Sequence, residues 1–381
     1  MTSNYELVGY EPELKRQIIE LQSHLWSPSA ALNTAYFEWK YERNPYIDAP
    51  LIYLAMHDGS AVGMRGFFGT QWTVGLPAQR FIAPYADDLV IAPEHRNNGL
   101  IARIMAFAFE DLAKRNYHYA VSLSPGAMTF LSSIAAGWRS PGLLRPMRRR
   151  PWRVALRRAG DRIVKPLPLL AGAYEAVVRP WIGARRLSLA DIDAERVRRC
   201  TKDMPRIVFE DAPRCSAMAE LVDSVSASRI RHVRDAAYFD WRFRNPLSRY
   251  RFLFWANPRL EGYLVLQECT SAYAVNDVVN VVDWEATSAA VQAELLGAAT
   301  RLITDRNLVI WSASLSRELT MLLDESGFKV EPAPRTVAQQ RHTLLVRPVG
   351  AAGLNGDWLL AGRRLLDLDS WDLRMLYSTH G

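Results

Sequence analysis

Hydrophobic residues along this chain recur at two spacings, and the places where the spacing changes outline its elements. The runs 51–56 and 61–68 are strand-like and meet at the turn Asp58-Gly59. A third run, Tyr85 to Ile91, leads into the polar stretch Pro93-Glu94-His95-Arg96-Asn97-Asn98-Gly99. Leu100, Ile101, Ile104, Met105, Ala108 and Leu112 then fall at helical spacing, which predicts a helix ending near Lys114-Arg115-Asn116. A strand over 119–123, a turn at Pro125-Gly126, a helix over 128–136 and the closing Gly137-Trp138 finish the block.

The same order returns about 200 residues later, a separation that calls for an internal repeat. Tyr36-Phe37-Glu38-Trp39-Lys40-Tyr41 matches Tyr238-Phe239-Asp240-Trp241-Arg242-Phe243, and Arg43-Asn44-Pro45 matches Arg244-Asn245-Pro246. Strand-like runs follow at 250–255, 262–267 and 278–284, then a helix over 289–303, a strand over 308–312, a helix over 318–324 and Ser326-Gly327-Phe328. The pattern predicts an α/β protein made of two copies of one fold, with Trp39 and Trp241 in the core.

Composition narrows the class. At 381 residues, 49% apolar and 23% charged, the chain fits two or three ordinary globular domains. Cys200, Cys215 and Cys269 are too scattered for a disulfide framework or a zinc site. The first residues lack a basic and then apolar leader, and no stretch approaches the ~18 uninterrupted apolar residues of a spanning helix, so a cytoplasmic location is expected. The net charge of +7 is concentrated: residues 145–200 hold 15 basic and 5 acidic residues, +10 in all, leaving −3 for the rest. Domain limits of 1–144, 145–204 and 205–381 follow. The middle segment reads as a basic, helical connector broken at Pro166 and Pro168. Its arginines, among them Arg148, Arg149, Arg150, Arg153, Arg157 and Arg158, either form a solvated face or meet an anionic partner over 145–165.

The turn before the helix at Leu100 carries the clearest chemistry. Backbone N–H groups at a helix start lack intrahelical partners, so a strand–turn–helix with Gly99 and Arg96 suits a phosphate. No HExxH, GxSxG or phosphate-binding P-loop motif occurs, so metal, serine-hydrolase and NTPase chemistry lack support.

Arg96-Asn97-Asn98-Gly99-Leu100-Ile101, in this order of elements, resembles the acyl-CoA loop of the GNAT superfamily of N-acyltransferases, with Ile101 in place of that family's small last residue. The first block also resembles GNAT-type proteins associated with polysaccharide biosynthesis and, more distantly, Eis-type acetyltransferases. The resemblance implies two tandem GNAT-like domains, each a twisted mixed sheet flanked by helices, with the loop absent from the second. It implies acetyl-CoA or another acyl-CoA as co-substrate, no metal, and a small-molecule primary amine such as an amino sugar or amino acid as acceptor. Leu89, Val90, Ile91, Arg96, Asn97, Asn98, Gly99, Leu100 and Ile101 are the implied donor-binding residues, with a backbone N–H near Val90 polarising the thioester. An amine must be neutral to attack. Asp87 and Asp88, expected on opposite faces of their strand, are candidate bases, Asp87 first. The family's tyrosine acid is replaced by Ser133, and by Leu323 in the second copy; Ser124, Ser132, Tyr117 or Tyr119 are candidate substitutes. The competing readings are a Fem-type transferase using aminoacyl-tRNA, an acyl-carrier-protein donor docking on the basic connector, and an inactive acyl-CoA-binding module.

Overall fold

A computed structural model describes residues 5–123, 125–151, 188–225, 228–271, 277–332, 342–350 and 358–378. The first half runs β1 (Glu6–Gly9), α1 (Lys15–Gln22), α2 (Ala30–Phe37), β2 (Leu51–His57), β3 (Ser60–Val74), β4 (Gln79–Ile91), α3 (Leu100–Lys114), β5 (Tyr119–Leu123), α4 (Ala127–Ala135), β6 (Arg139–Leu143) and β7 (Pro146–Arg149). The second runs α5 (Ala194–Cys200), β8 (Ile207–Glu210), α6 (Cys215–Ser224), β9 (Ile230–His232), α7 (Ala236–Arg242), β10 (Ser248–Asn257), β11 (Arg259–Cys269), β12 (Val278–Ala286), α8 (Ala289–Leu302), β13 (Asn307–Trp311), α9 (Arg317–Glu325), β14 (Phe328–Val330), β15 (Thr343–Pro348), the short pair β16 (Leu359–Leu360) and β17 (Arg363–Arg364), and β18 (Trp371–Asp372).

Two mixed sheets result, and they match strand for strand. The first is ordered β1-β2-β3-β4-β5-β15-β6, with β9 beside β3 and β18 beside β9; the second is β8-β10-β11-β12-β13-β7-β14. The halves therefore exchange one strand. β7 of the first half lies between β13 and β14, and β15 of the second lies between β5 and β6, antiparallel to both. The chain crosses between sheets at Arg145 and re-enters at His342, both with positive φ (46° and 56°), and the crossing strands are tied by Leu144 N–H to His342 O at 2.7 Å. The stretch 145–204, expected as a helical connector, thus opens with a strand of the second sheet, and 205–381 returns three strands to the first. Residues 152–187, which hold most of the expected basic helix, lie outside the described residues. The C-terminal stretch 358–376 forms short strands and 3₁₀ turns.

Among the described residues the hydrophobic core has three parts. Leu100, Ile104, Ala108 and Leu112 pack α3 on one face of the first sheet, and Leu295, Ala299 and Leu302 pack α8 on the second. The third joins the halves through α1, α2, α6 and α7. At its centre the repeated tryptophans meet. The Trp39 and Trp241 rings stack at 4.9 Å and 8°, and each indole N–H donates to the other's carbonyl, at 2.7 and 2.8 Å. Such reciprocity marks a pseudo-twofold axis, the isologous contact of a dimer rebuilt within one chain.

His232 sits in this central core, 1% exposed, its ring centroid 4.3 Å from that of Tyr238 and 5.2 Å from that of Tyr377. Its Nδ1 lies 2.6 Å from the Val233 carbonyl, which can only accept, so Nδ1 carries the proton. Burial pushes its pKa down from 6.5 to about 3, the Val233 bond opposing and Arg234 and Arg242 assisting. Between those values the unfolded chain takes a proton that the folded chain refuses, so stability falls with pH. The loss from His232 is expected to reach about 2–3 kcal/mol by roughly pH 4.5. Urea unfolding across this range checks it: His232→Phe should flatten the acid limb, and an unchanged slope would exclude the contribution.

Candidate active site

β4 is bent where the chemistry was expected. Gly66 pairs with Asp87 and Arg65 with Leu89, so Asp88 is an extra residue in the ladder, with φ at 44°. Such a bulge re-aims side chains. Without it, adjacent aspartates would point to opposite faces. With it, both reach one ammonium: Lys40 Nζ donates to Asp87 Oδ2 and Asp88 Oδ1, each at 2.7 Å. The expectation of opposite faces is corrected by this one residue.

The two carboxylates are nonetheless unlike. Asp88 is buried and also accepts from Tyr41 Oη at 2.7 Å and Gln22 Nε2 at 3.0 Å. Asp87 keeps part of its side chain, 15%, open to solvent. Lys40 is fully buried, ringed by Trp26, Tyr36, Tyr41 and Phe68. Burial disfavours its charge, but Asp87 and Asp88 outweigh that and hold its pKa well above the usual lysine value. Lys40 comes from the repeated Trp-Lys-Tyr segment, where α2 widens into a π-type turn over Glu38–Glu42. The repeat was legible; the lysine's role was not, because its partners lie 47 and 48 residues away.

A cleft of about 750 Å³ lies between α3, α4 and the end of β4, with His24 and Leu25 beyond α1 also lining it. The β4–β5 ladder is limited to Tyr85 against Val121, beside which the Tyr85 hydroxyl donates to Leu123 O and accepts from Leu123 N–H, at 2.9 and 3.0 Å. Beyond that point Leu89, Val90, Ile91, Arg96, Asn97, Gly99, Leu100 and Ile101 all line the cleft, with His95 and Ser132. Asn98 does not; it donates to Tyr5 Oη at 3.1 Å and His95 O at 3.2 Å, bracing the turn. Arg96 is exposed and its Nε donates to Ile91 O at 3.2 Å. Gly99 has φ 68° and open space where a Cβ would stand. The bond from Arg103 N–H to Gly99 O is the first of the helix, so the N–H groups of Leu100, Ile101 and Ala102 have no intrahelical acceptor.

Among the suggested acids, Ser132 Oγ donates to Thr129 O at 3.0 Å, Tyr119 Oη lies 3.5 Å from Leu359 O, and Ser133 is buried. Ser124 lies outside the described residues. Sequence reasoning missed Arg347, which reaches the cleft from the exchanged strand β15 and lies over the Phe109 ring at 3.6 Å. Nothing local in the sequence marks it, since its place depends on the exchange. No helix among the described residues is long and apolar enough to cross a membrane, and no group of three or more His, Cys, Asp or Glu among them is placed to hold a metal ion.

The family described as acetyltransferase (GNAT) family matches residues 16–131. A GCN5-related N-acetyltransferase from Anabaena variabilis is similar over 91% of this chain and 74% of its own, at 12% identity and TM-score 0.56. A probable N-acyltransferase from Enterococcus faecalis follows at 12% and 0.55, over 91% and 73%. A tandem GNAT protein from the clavulanic acid biosynthesis pathway matches over 91% of this chain and 99% of its own, at 11% identity and TM-score 0.50. No curated protein matches. Residues 16–131 thus match the GNAT family, and the chain shares its fold, two GNAT-like halves in tandem, with these solved structures.

Proposed function

We propose that the protein moves an acyl group from acyl-CoA, bound in the cleft of the first half, to the primary amine of a small molecule. The observation that carries this reading is the convergence of eight strand, turn and helix-start residues, with N–H groups at the start of α3 that lack an intrahelical acceptor, on one cleft. Those donors suit a diphosphate, and 750 Å³ is within the range of ligand sites. The amine nitrogen attacks the thioester carbon, the C–S bond breaks, and the thiolate leaves on CoA. The proton lost by nitrogen goes to Asp87, the more open carboxylate, directly or through one water. Asp88 and Lys40 are positioning residues that fix Asp87. The second half, whose repeat lacks the Arg-x-x-Gly turn, supports the first and shapes the acceptor side.

Calorimetric titration with CoA and acetyl-CoA tests the donor site. Gly99→Trp fills the open space beside the turn and strains a left-handed residue, so affinity is expected to fall at least about 100-fold while unfolding stays cooperative. Retained affinity in this variant, or none in the parent, sinks the donor reading. Once an acceptor is found, Asp87→Asn is expected to lower kcat by about 10²–10⁴ with donor affinity kept. An unchanged kcat would remove Asp87 from the proton transfer.

A further inference from the structure

The donor half buries a second cation beside the Lys40 cluster, one whose hydrogen-bonding capacity that cluster does not use. Arg65 on β3 is 2% exposed, its Nε has no hydrogen-bond partner, and among the described residues its guanidinium makes no ion pair. It is paired across the ladder with Leu89, and cross-strand partners share a face, so it stands on the cleft side with Leu89, opposite Lys40. The guanidinium lies 5.5 Å from the centre of the Phe67 ring, and Phe67 pairs with Ala86, next to the Tyr85–Val121 contact where β4 and β5 close. Arg65 does not itself line the cleft; its ladder partner Leu89 does, and Arg65 lies beside it beneath the surface.

The internal repeat supplies a control. Gly63, packed under Ile104 of α3, pairs with Ile91; Gly262, packed under Leu295 of α8, pairs with Ala286. Two residues further along each strand stand Arg65 and Leu264, the latter fully buried. The fold accepts leucine at this place, and only the half with the donor turn carries arginine. Burial lowers the Arg65 pKa, and Asp87, then Tyr41 and Asp88, oppose that from the other face. Lys40, Asp87 and Asp88 sum to −1, so Arg65 balances the group in charge while its N–H donors stay unused. A buried guanidinium with free donors fits a planar two-oxygen acceptor.

We infer that Arg65 receives the free carboxylate of a dicarboxylic acyl group, so that the preferred donor is the CoA monothioester of a short dicarboxylic acid rather than acetyl-CoA. The inference rests on the donor reading above. With the thioester near Val90, an acyl chain running down β4 towards Ala86 brings its far end to Arg65.

Calorimetry with succinyl-CoA, acetyl-CoA and free CoA, on the full chain and on Arg65→Leu, tests this without knowledge of the acceptor. The parent is expected to bind succinyl-CoA at least tenfold more tightly than acetyl-CoA. Arg65→Leu, which copies the repeat, should erase that advantage and leave free CoA binding unchanged, which also reports an intact fold. Equal binding of the two donors by the parent, or an equal loss for both in the variant, overturns the inference while leaving the donor site standing. Absence of binding to all three ligands by the parent overturns the donor reading as well. If Arg65→Leu fails to bind free CoA, Arg65→Lys replaces it. That variant keeps a point charge but no fork, and retention of the full preference there would overturn the two-oxygen contact.

Discussion

Lys40→Met is expected to destabilise the protein by about 3–5 kcal/mol, because removing one partner of a buried ion pair leaves uncompensated charge in the interior. The ammonium is fully buried and bridges Asp87 and Asp88 at 2.7 Å each, and Asp88 is itself buried. Methionine fills much of the same space and keeps the contacts with Trp26, Tyr36 and Phe68, so the loss reports electrostatics more than packing. The pH dependence has a definite sign. A folded-state pKa raised above the unfolded value of 10.5 contributes stability fully below that value and loses it as pH rises through the folded pKa. The Lys40 contribution should thus be flat through neutrality and fade only in strong alkali. Urea unfolding of the parent and variant between neutral pH and roughly pH 11 measures both statements. A cost under about 1 kcal/mol would mean that Asp87 and Asp88 take protons or water at little expense, as surface pairs do. Adding Asp88→Asn to Lys40→Met should recover part of the loss, since one stranded charge goes with it.

The parts of the site legible in the sequence are those fixed by local rules. A strand, a polar turn with Gly99 and a helix with 3.6-residue periodicity mark the corner, and eight of the nine donor-binding residues that the GNAT resemblance implies line the cleft. Asn98 failed because one turn residue must brace the others, and which one does so depends on Tyr5, 93 residues distant. The Asp87–Asp88 pair was seen but misoriented, since alternation holds only for an unbulged strand and a bulge leaves no mark in a single sequence. The tandem plan came from Tyr-Phe-x-Trp, yet stacking of Trp39 on Trp241 is a relation between copies that neither copy states alone. Arg65 looked like any polar residue in a strand. Only its register with Leu89 and the leucine in its counterpart set it apart.

Residues 1–204 expressed alone are expected not to form a cooperative fold, although they hold the whole donor turn. Their sheet lacks β15, whose Leu344, Leu345 and Val346 are completely buried between β5 and β6. Losing three such side chains, at about 2–5 kcal/mol each when truncated, matches or exceeds the roughly 5–15 kcal/mol that holds a typical domain together. Both flanking strands would also be left with unpaired backbone groups. The fragment contains a possible substitute, β7, which would fill the gap if the exchange were reversed at Arg145. Its sequence argues against that. Pro146 lacks an N–H for the ladder, and of Met147, Arg148 and Arg149 only the first is apolar. In the second sheet Arg148 pairs with Glu331 and Arg149 donates to Ser326 O at 3.2 Å; between β5 and β6 these arginines would displace leucine and valine. The exchange is thus written into which strand carries charge. Co-expression of 1–204 with 205–381 should restore an assembled, CoA-binding pair, read by size-exclusion chromatography and calorimetry. A fragment 1–204 that unfolds cooperatively and binds CoA alone would show that β7 can take the place of β15, and that the strand exchange is dispensable for the donor site.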